Sequence, residues 1–226
     1  MKDSKGNITA GLLVVGALVI GMLGGFAIGN RGGSDTEQVS REASQASTET
    51  EAASLRVLLS GLQKEHVSLA AAATRAGFDG DPQFKAAAGS LDENSKELAA
   101  AVGSVYGEEA EARFYEIWNS HIGFFVDYTV AAKGGDQPGM DEAVENLGGY
   151  VEAISTFLSE ANPNLPKEAV AQLVGEHVGL LKEAVDNHGA GDFEASYAKE
   201  REARKQIGSI ADAISGAIVK QNPDKF

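Results

Sequence analysis

Three stretches of the chain repeat one another. Glu65-His66-Val67 is followed fifteen residues after its histidine by Asp81, Ser120-His121-Ile122 by Asp136, and Glu176-His177-Val178 by Asp192. Each aspartate stands in a Gly-Asp turn, and the histidines are 55 and 56 residues apart. A period of this length marks a repeated supersecondary unit, whose apolar face is covered only by its neighbours. The repeat therefore limits the fold more than any other feature, and it puts three of the four histidines at equivalent points.

The apolar pattern within each unit is helical. Leu58-Leu59, Leu62, His66 and Leu69 recur at steps of three and four, as do Ile117-Trp118, His121 and Phe124-Phe125, and Leu173-Val174, His177 and Leu180-Leu181. Such spacing buries one helix face. No long alternating pattern indicates a strand, and none of the five prolines interrupts a periodic segment, as befits residues at helix ends. The pattern predicts helices at about 55–77, 83–105, 108–133, 138–161, 166–188 and 193–220.

The second helices repeat as well. Ala153-Ile154-Ser155 through Asn162-Pro163 returns as Ala213-Ile214-Ser215 through Asn222-Pro223, with about four extra residues near Tyr197–Glu202. The expected fold is all-α: three αα-hairpin repeats, at about 55–105, 108–161 and 166–220, forming a six-helix bundle in residues 55–226. Short connections make consecutive helices antiparallel neighbours.

An N-terminal transmembrane helix is expected before the bundle. Ile8 to Asn30 carries no charged side chain and exceeds the roughly 20 residues that cross a hydrocarbon core. The segment 8–30 reads as an uncleaved signal anchor; cleavage is the alternative, although Phe26 to Asn30 supplies no A-x-A-like site. Lys2 and Lys5 place residues 1–7 in the cytoplasm by the positive-inside rule, and the C-terminal domain outside it. Gly21, Gly25 and Gly29 form a doubled G-x-x-x-G that suits a homodimer of membrane helices, though glycine is also common in such helices. Residues 31–54, rich in Ser, Thr and Glu, read as a solvated stalk.

Beyond residue 34 there are 16 basic and 32 acidic residues. That surface repels phosphate backbones and anionic lipid headgroups, which excludes nucleic acid as a partner; cations and basic proteins are favoured. With no cysteine in the chain, disulfides, thiolate metal sites and cysteine nucleophiles are all excluded. No catalytic motif occurs, and Glu93, Glu97, Glu108, Glu109 and Glu111 read as helix-surface acids. The chain is not expected to be an enzyme.

The chemistry open to the chain rests on His66, His121 and His177. Their neighbours three and four residues away are mainly large and apolar, so the rings face the core, whereas Glu65 and Glu176 point away. A buried imidazole needs partners for its nitrogens. If the hairpins close around a pseudo-threefold axis, the rings converge and form a three-histidine site suited to zinc or copper. If the hairpins stack in a row, equivalent positions lie about 10 Å or more apart, and the histidines are separate core residues. Asn94, Glu152 and Asp212, on the second helices, are then candidate partners. Trp118, Phe124, Phe125 and Tyr128 make the middle unit the most aromatic, as packed core or as a pocket wall near His121. His188 is expected to complement its helix C-terminus.

Val105-Tyr106-Gly107, the run from Trp118 through His121 into IGFFVDYT, Ala161-Asn162-Pro163-Asn164-Leu165-Pro166, and Ile210-Ala211-Asp212 with GAIVKQNPDKF together resemble a family of exported or membrane-anchored all-helical bacterial proteins. The similarity covers nearly all of residues 55–226. It implies fold and location and carries no established activity. Some members of that family have a further histidine shortly before the Ala-Asp pair, where this chain has Gln206. The expected function is a membrane-anchored, extracytoplasmic, non-catalytic binding module; a purely structural or interaction module is the alternative.

Overall fold

Each Gly-Asp mark is a corner between two helices. In the computed structural model, which describes residues 50–226, six helices run in order: α1 Glu51–Asp79, α2 Phe84–Tyr106, α3 Glu108–Gly134, α4 Gln137–Ala161, α5 Lys167–Gly189 and α6 Phe193–Gln221. Gly80, Gly135 and Gly191 follow α1, α3 and α5 with φ of 73°, 65° and 77°, the left-handed region that glycine enters without a Cβ clash. The adjoining aspartates then start the next helix. Asp136 accepts from the Gly139 amide at 3.3 Å, Asp192 from Ala195 at 3.0 Å, and Asp81 from Gln83 at 2.8 Å. Asp136 and Asp192 each satisfy an amide that the first helical turn leaves without a partner, whereas Asp81 holds the turn just before α2, which has no side-chain cap.

Observed helix ends lie close to those expected. The one sizeable difference is at α1, which starts four residues before residue 55, at Glu51. Thr50 caps it there, its hydroxyl accepting from the Ala53 amide at 3.1 Å, and Ala and Glu then sustain the helix. No strand occurs among the described residues. The expected anchor at 8–30, its three glycines and residues 31–49 of the stalk lie outside the described residues. Among the described helices none is long and apolar enough to cross a membrane.

Consecutive helices pack side by side, and α6 returns to pack along α1, closing a ring. Inside the ring, α1 touches α3 and α5, and α3 touches α5. The three odd-numbered helices are separated by antiparallel steps and so run in one direction. Each histidine precedes its corner aspartate by the same fifteen residues, about 22 Å of helix, so all three occupy one level.

The main core fills the space around that level with Val67, Leu98, Phe114, Trp118, Leu147 and Ile207 among others. A second cluster joins the start of α1 to the end of α6 through Leu55, Leu59 and Ile218. A third gathers Tyr128, Ala143 and Val185. Each large aliphatic side chain buried in this way stabilises the fold by about 1.5–3 kcal/mol. Among the described residues every core member belongs to residues 55–226, so a fragment beginning at residue 42 contains that core.

Two sequence motifs hold the ring shut. Asn162, fully buried, donates to the Tyr106 hydroxyl at 3.0 Å and accepts from the Asn164 amide at 2.9 Å. Tyr106 donates to Gln221, and Gln221 donates to the Ala161 carbonyl, both at 2.9 Å. The ends of α2, α4 and α6 are thereby tied together. At the other end, the extra residues of α6 place Glu200 2.7 Å from Arg75 and Tyr197 under the same guanidinium at 4.7 Å.

Candidate functional site: a histidine cluster at the centre of the bundle

The closed ring brings the three histidines together. His66, His121 and His177 are 1 %, 4 % and 6 % exposed, while Glu65 and Glu176 lie in solvent, as the helical spacing requires. The His66 and His121 rings have centroids 5.3 Å apart, and their Nε2 atoms face each other at 3.4 Å. The His177 ring stands 6.5 Å from that of His66. Trp118 sits edge-on to both His66 and His121 at 4.9 Å. Tyr150 from α4 stacks on His121 at 4.5 Å.

Their hydrogen bonding is incomplete. The Nδ1–H of His121 donates to the Trp118 carbonyl one turn earlier, which leaves a lone pair on Nε2 directed at His66. The Nδ1 of His66 and both nitrogens of His177 are buried without a partner, as is the indole nitrogen of Trp118. Gln206 from α6 lies against His177; its amide donates to the Leu173 carbonyl at 2.7 Å, and its oxygen is unpaired. Unpaired buried polar atoms are rare in native interiors, and several at one place call for an explanation.

The partners expected on the second helices do not reach the rings. Asn94 donates to the Leu62 carbonyl and to Glu65, Glu152 pairs with Lys167, and Asp212 pairs with Arg56 at 2.7 Å. Asp212 and Glu152 sit on the outer faces of α6 and α4, turned toward solvent. His188 lies in the last turn of α5, as expected, and additionally meets Asp79 at 2.8 Å.

Burial without compensating charge keeps the cluster neutral. It lowers His121 to about 3 and His177 to about 4 from an ordinary 6.5, the Trp118 carbonyl and Gln206 respectively opposing the shift. His66 is also driven well below its ordinary value, by burial first and then by repulsion from the other two histidines. Neutral imidazoles retain lone pairs, the form that binds metal ions.

Two nitrogens ligating one tetrahedral ion at about 2.0–2.1 Å are separated by about 3.4 Å, with ring centroids about 5 Å apart. The His66–His121 pair has that separation. The backbone contact from His121 Nδ1 is also the kind of outer-shell bond that orients a ligating imidazole. His177 stands more than an ångström too far from His66. Accordingly, among the described residues no three His, Cys, Asp or Glu side chains are gathered closely enough to hold an ion as they stand.

His66 and His121 also form the floor of a cavity of about 360 Å³ that runs between α1, α3 and α5 toward their C-terminal ends. Its walls are mainly apolar. The space exists because α1 presents Ala70, Ala71, Ala73, Ala76 and Gly77 along it, a small-residue run that reads in sequence only as good helix. Phe125 lines this cavity, whereas Trp118 stacks on Phe114 at 5.4 Å and Tyr128 donates to Asp186 at 2.5 Å. Neither Tyr150 nor the cavity has a signature in the sequence.

No family model, curated protein or solved structure matches the chain.

Proposed function

We propose that this chain is a membrane-anchored, extracytoplasmic binding module whose bundle holds one zinc or copper ion between His66, His121 and His177. The observation that carries this reading is the 3.4 Å separation of the facing His66 and His121 Nε2 atoms, the spacing of two imidazoles on one ion. The unpaired nitrogens of His177 supply the third ligand after a side-chain rotation that brings the ring inward. A fourth position then faces the cavity. The repeated histidine, brought to one level by three equivalent hairpins, is the reason such a centre arises at the axis.

The sole tryptophan of the chain gives a direct test, because Trp118 lies 4.9 Å from two of the rings. Titration of copper(II) into chelator-treated residues 42–226 is expected to quench its fluorescence with a 1:1 endpoint, and His121→Ala is expected to remove the endpoint. Quenching that never saturates in the wild type contradicts the metal centre.

The 6.5 Å offset of His177 favours a second reading, in which the cluster is a set of core residues with no ligand. Replacing His177 by Leu then raises stability whether or not metal is present, because it removes two unpaired buried nitrogens. Under the metal reading the same change lowers stability once the metal is added.

The anchor rests on the uncharged run from Ile8 to Asn30. Replacement of Gly21, Gly25 and Gly29 by Ile is expected to abolish a homodimer of the full chain in detergent; an unchanged oligomer size removes that part.

A further inference from the structure

We propose that the cavity between α1, α3 and α5 is a binding site for a neutral, mainly hydrocarbon molecule whose apolar end reaches inward to His66 and His121. This site shares its floor with the proposed metal centre but does not depend on it, since the apolar walls are present without an ion.

The size fits a ligand. Cavities that take small molecules span about 300–1,000 Å³, and the volume here is about 360 Å³. A dry cavity of about 150 Å³ accepts benzene, which scales to roughly a dozen non-hydrogen atoms for this one. Native interiors contain few voids larger than a water molecule. A run of alanines on α1 facing Phe84, Leu91, Phe125 and Leu181 is the arrangement of a wall cut back to leave room.

The chemistry of the lining selects the class. Its hydroxyls are turned away: Thr74 donates to the Ala70 carbonyl at 2.9 Å, Thr129 to Phe125 and Ser196 to Ala184, each at 2.7 Å. Its basic side chains are already paired, Arg75 with Glu200 at 2.7 Å and His188 with Asp79 at 2.8 Å. Asp81, a carboxylate in the lining, repels an anionic head at the outer end, although Lys133 stands close to Gly80 nearby. The unpaired Nδ1 of His66 at the inner end is covered by its neighbours, so the lining offers no free polar atom to a charged or strongly polar head there. Val130, 66 % exposed, lines the cavity too, so the outer end has an apolar rim.

The test uses residues 42–226, which contain the core described above, with metal removed by chelator. 1-Decanol and decanoate serve as probes, read by calorimetry and by Trp118 fluorescence. Saturable 1:1 binding of decanol is expected, with decanoate at least about tenfold weaker because its charge has no partner inside. Ala73→Leu and Val126→Phe, each confirmed as folded by circular dichroism, are expected to abolish decanol binding by filling the cavity. Wild-type protein that shows no saturable decanol binding overturns the site. Equal affinity for decanoate overturns its neutral character, and binding that survives both filled variants places it elsewhere. Metal retention measured on parallel samples, loaded with zinc or copper(II) and then dialysed, separates the two ideas. Decanol without metal leaves this inference standing and removes the metal centre; metal without decanol does the reverse.

Discussion

The Nε2 atoms of His66 and His121 face each other at 3.4 Å across the axis of the bundle, although 55 residues separate them in the chain. The proximity is a consequence of the ring. Because α6 packs back on α1, the odd-numbered helices meet one another, and their mid-helix histidines have nowhere else to point. Neutral imidazoles held this close and incompletely hydrogen-bonded are costly to the fold, and the ring that gathers them can be tested both there and at its other joints.

Acid should destabilise the domain well above the usual carboxylate range. The unfolded chain protonates its histidines below about 6.5, while folded His177 and His121 stay neutral down to about 4 and about 3. Between those limits the unfolded state binds more protons, so stability falls as pH falls, by about 1.4 kcal/mol per histidine per pH unit. His66 acts with the same sign. Denaturant unfolding of metal-free protein at pH 7, 6 and 5 measures the slope, and His177→Leu is expected to reduce it by about a third. An unchanged slope in that variant means the ring is not held neutral.

Asn162→Ala should cost about 2–3 kcal/mol, because it strands the partners of a fully buried amide. The loss is expected to be shared with Tyr106→Phe, which removes the hydroxyl that Asn162 and Gln221 both use. A double-mutant cycle in chemical denaturation shows this as strong non-additivity; strictly additive losses contradict a single network.

Arg75→Ala leaves the buried Glu200 without its cation and frees Tyr197. A cost of about 1–2 kcal/mol is expected, allowing for the partial exposure of the pair. Glu200→Gln should cost less, and the thermal midpoint of each variant ranks them. The reverse order would mean that the stacked aromatic contributes little.

Gly135→Ala and Gly189→Ala should differ in kind. Nothing lies within 4 Å of a Cβ at Gly135, so the cost is the left-handed backbone alone, about 1–2 kcal/mol. A Cβ at Gly189 meets the Phe78 ring at 2.9 Å and displaces a residue that lines the cavity. Only the second substitution is therefore expected to change decanol affinity, as read by calorimetric titration.

Much of this arrangement is legible in the residues. The six helices come from apolar steps of three and four, and the inward direction of each histidine comes from neighbours such as Ile117, Trp118, Phe124 and Phe125. The Gly-Asp pairs mark corners because glycine tolerates the left-handed turn and, at Asp136 and Asp192, the aspartate caps the next helix. Convergence of the rings was not legible. It depends on α6 reaching α1, a contact between the first and last helices of the bundle with no local pattern to announce it. The roles of Asn94, Glu152 and Asp212 escaped for a related reason: the rotation of the second helices about their axes is set by packing, which turns Asp212 to Arg56 and Glu152 to Lys167. The cavity escaped because alanines that leave space and alanines that favour helix look the same.

Elemental analysis tests the metal centre most directly. Residues 42–226, exposed to zinc or copper(II) and then dialysed, are expected to retain one ion per chain, and His66→Ala and His121→Ala none. Wild-type protein that emerges metal-free from both loadings contradicts the centre and leaves three neutral histidines as core.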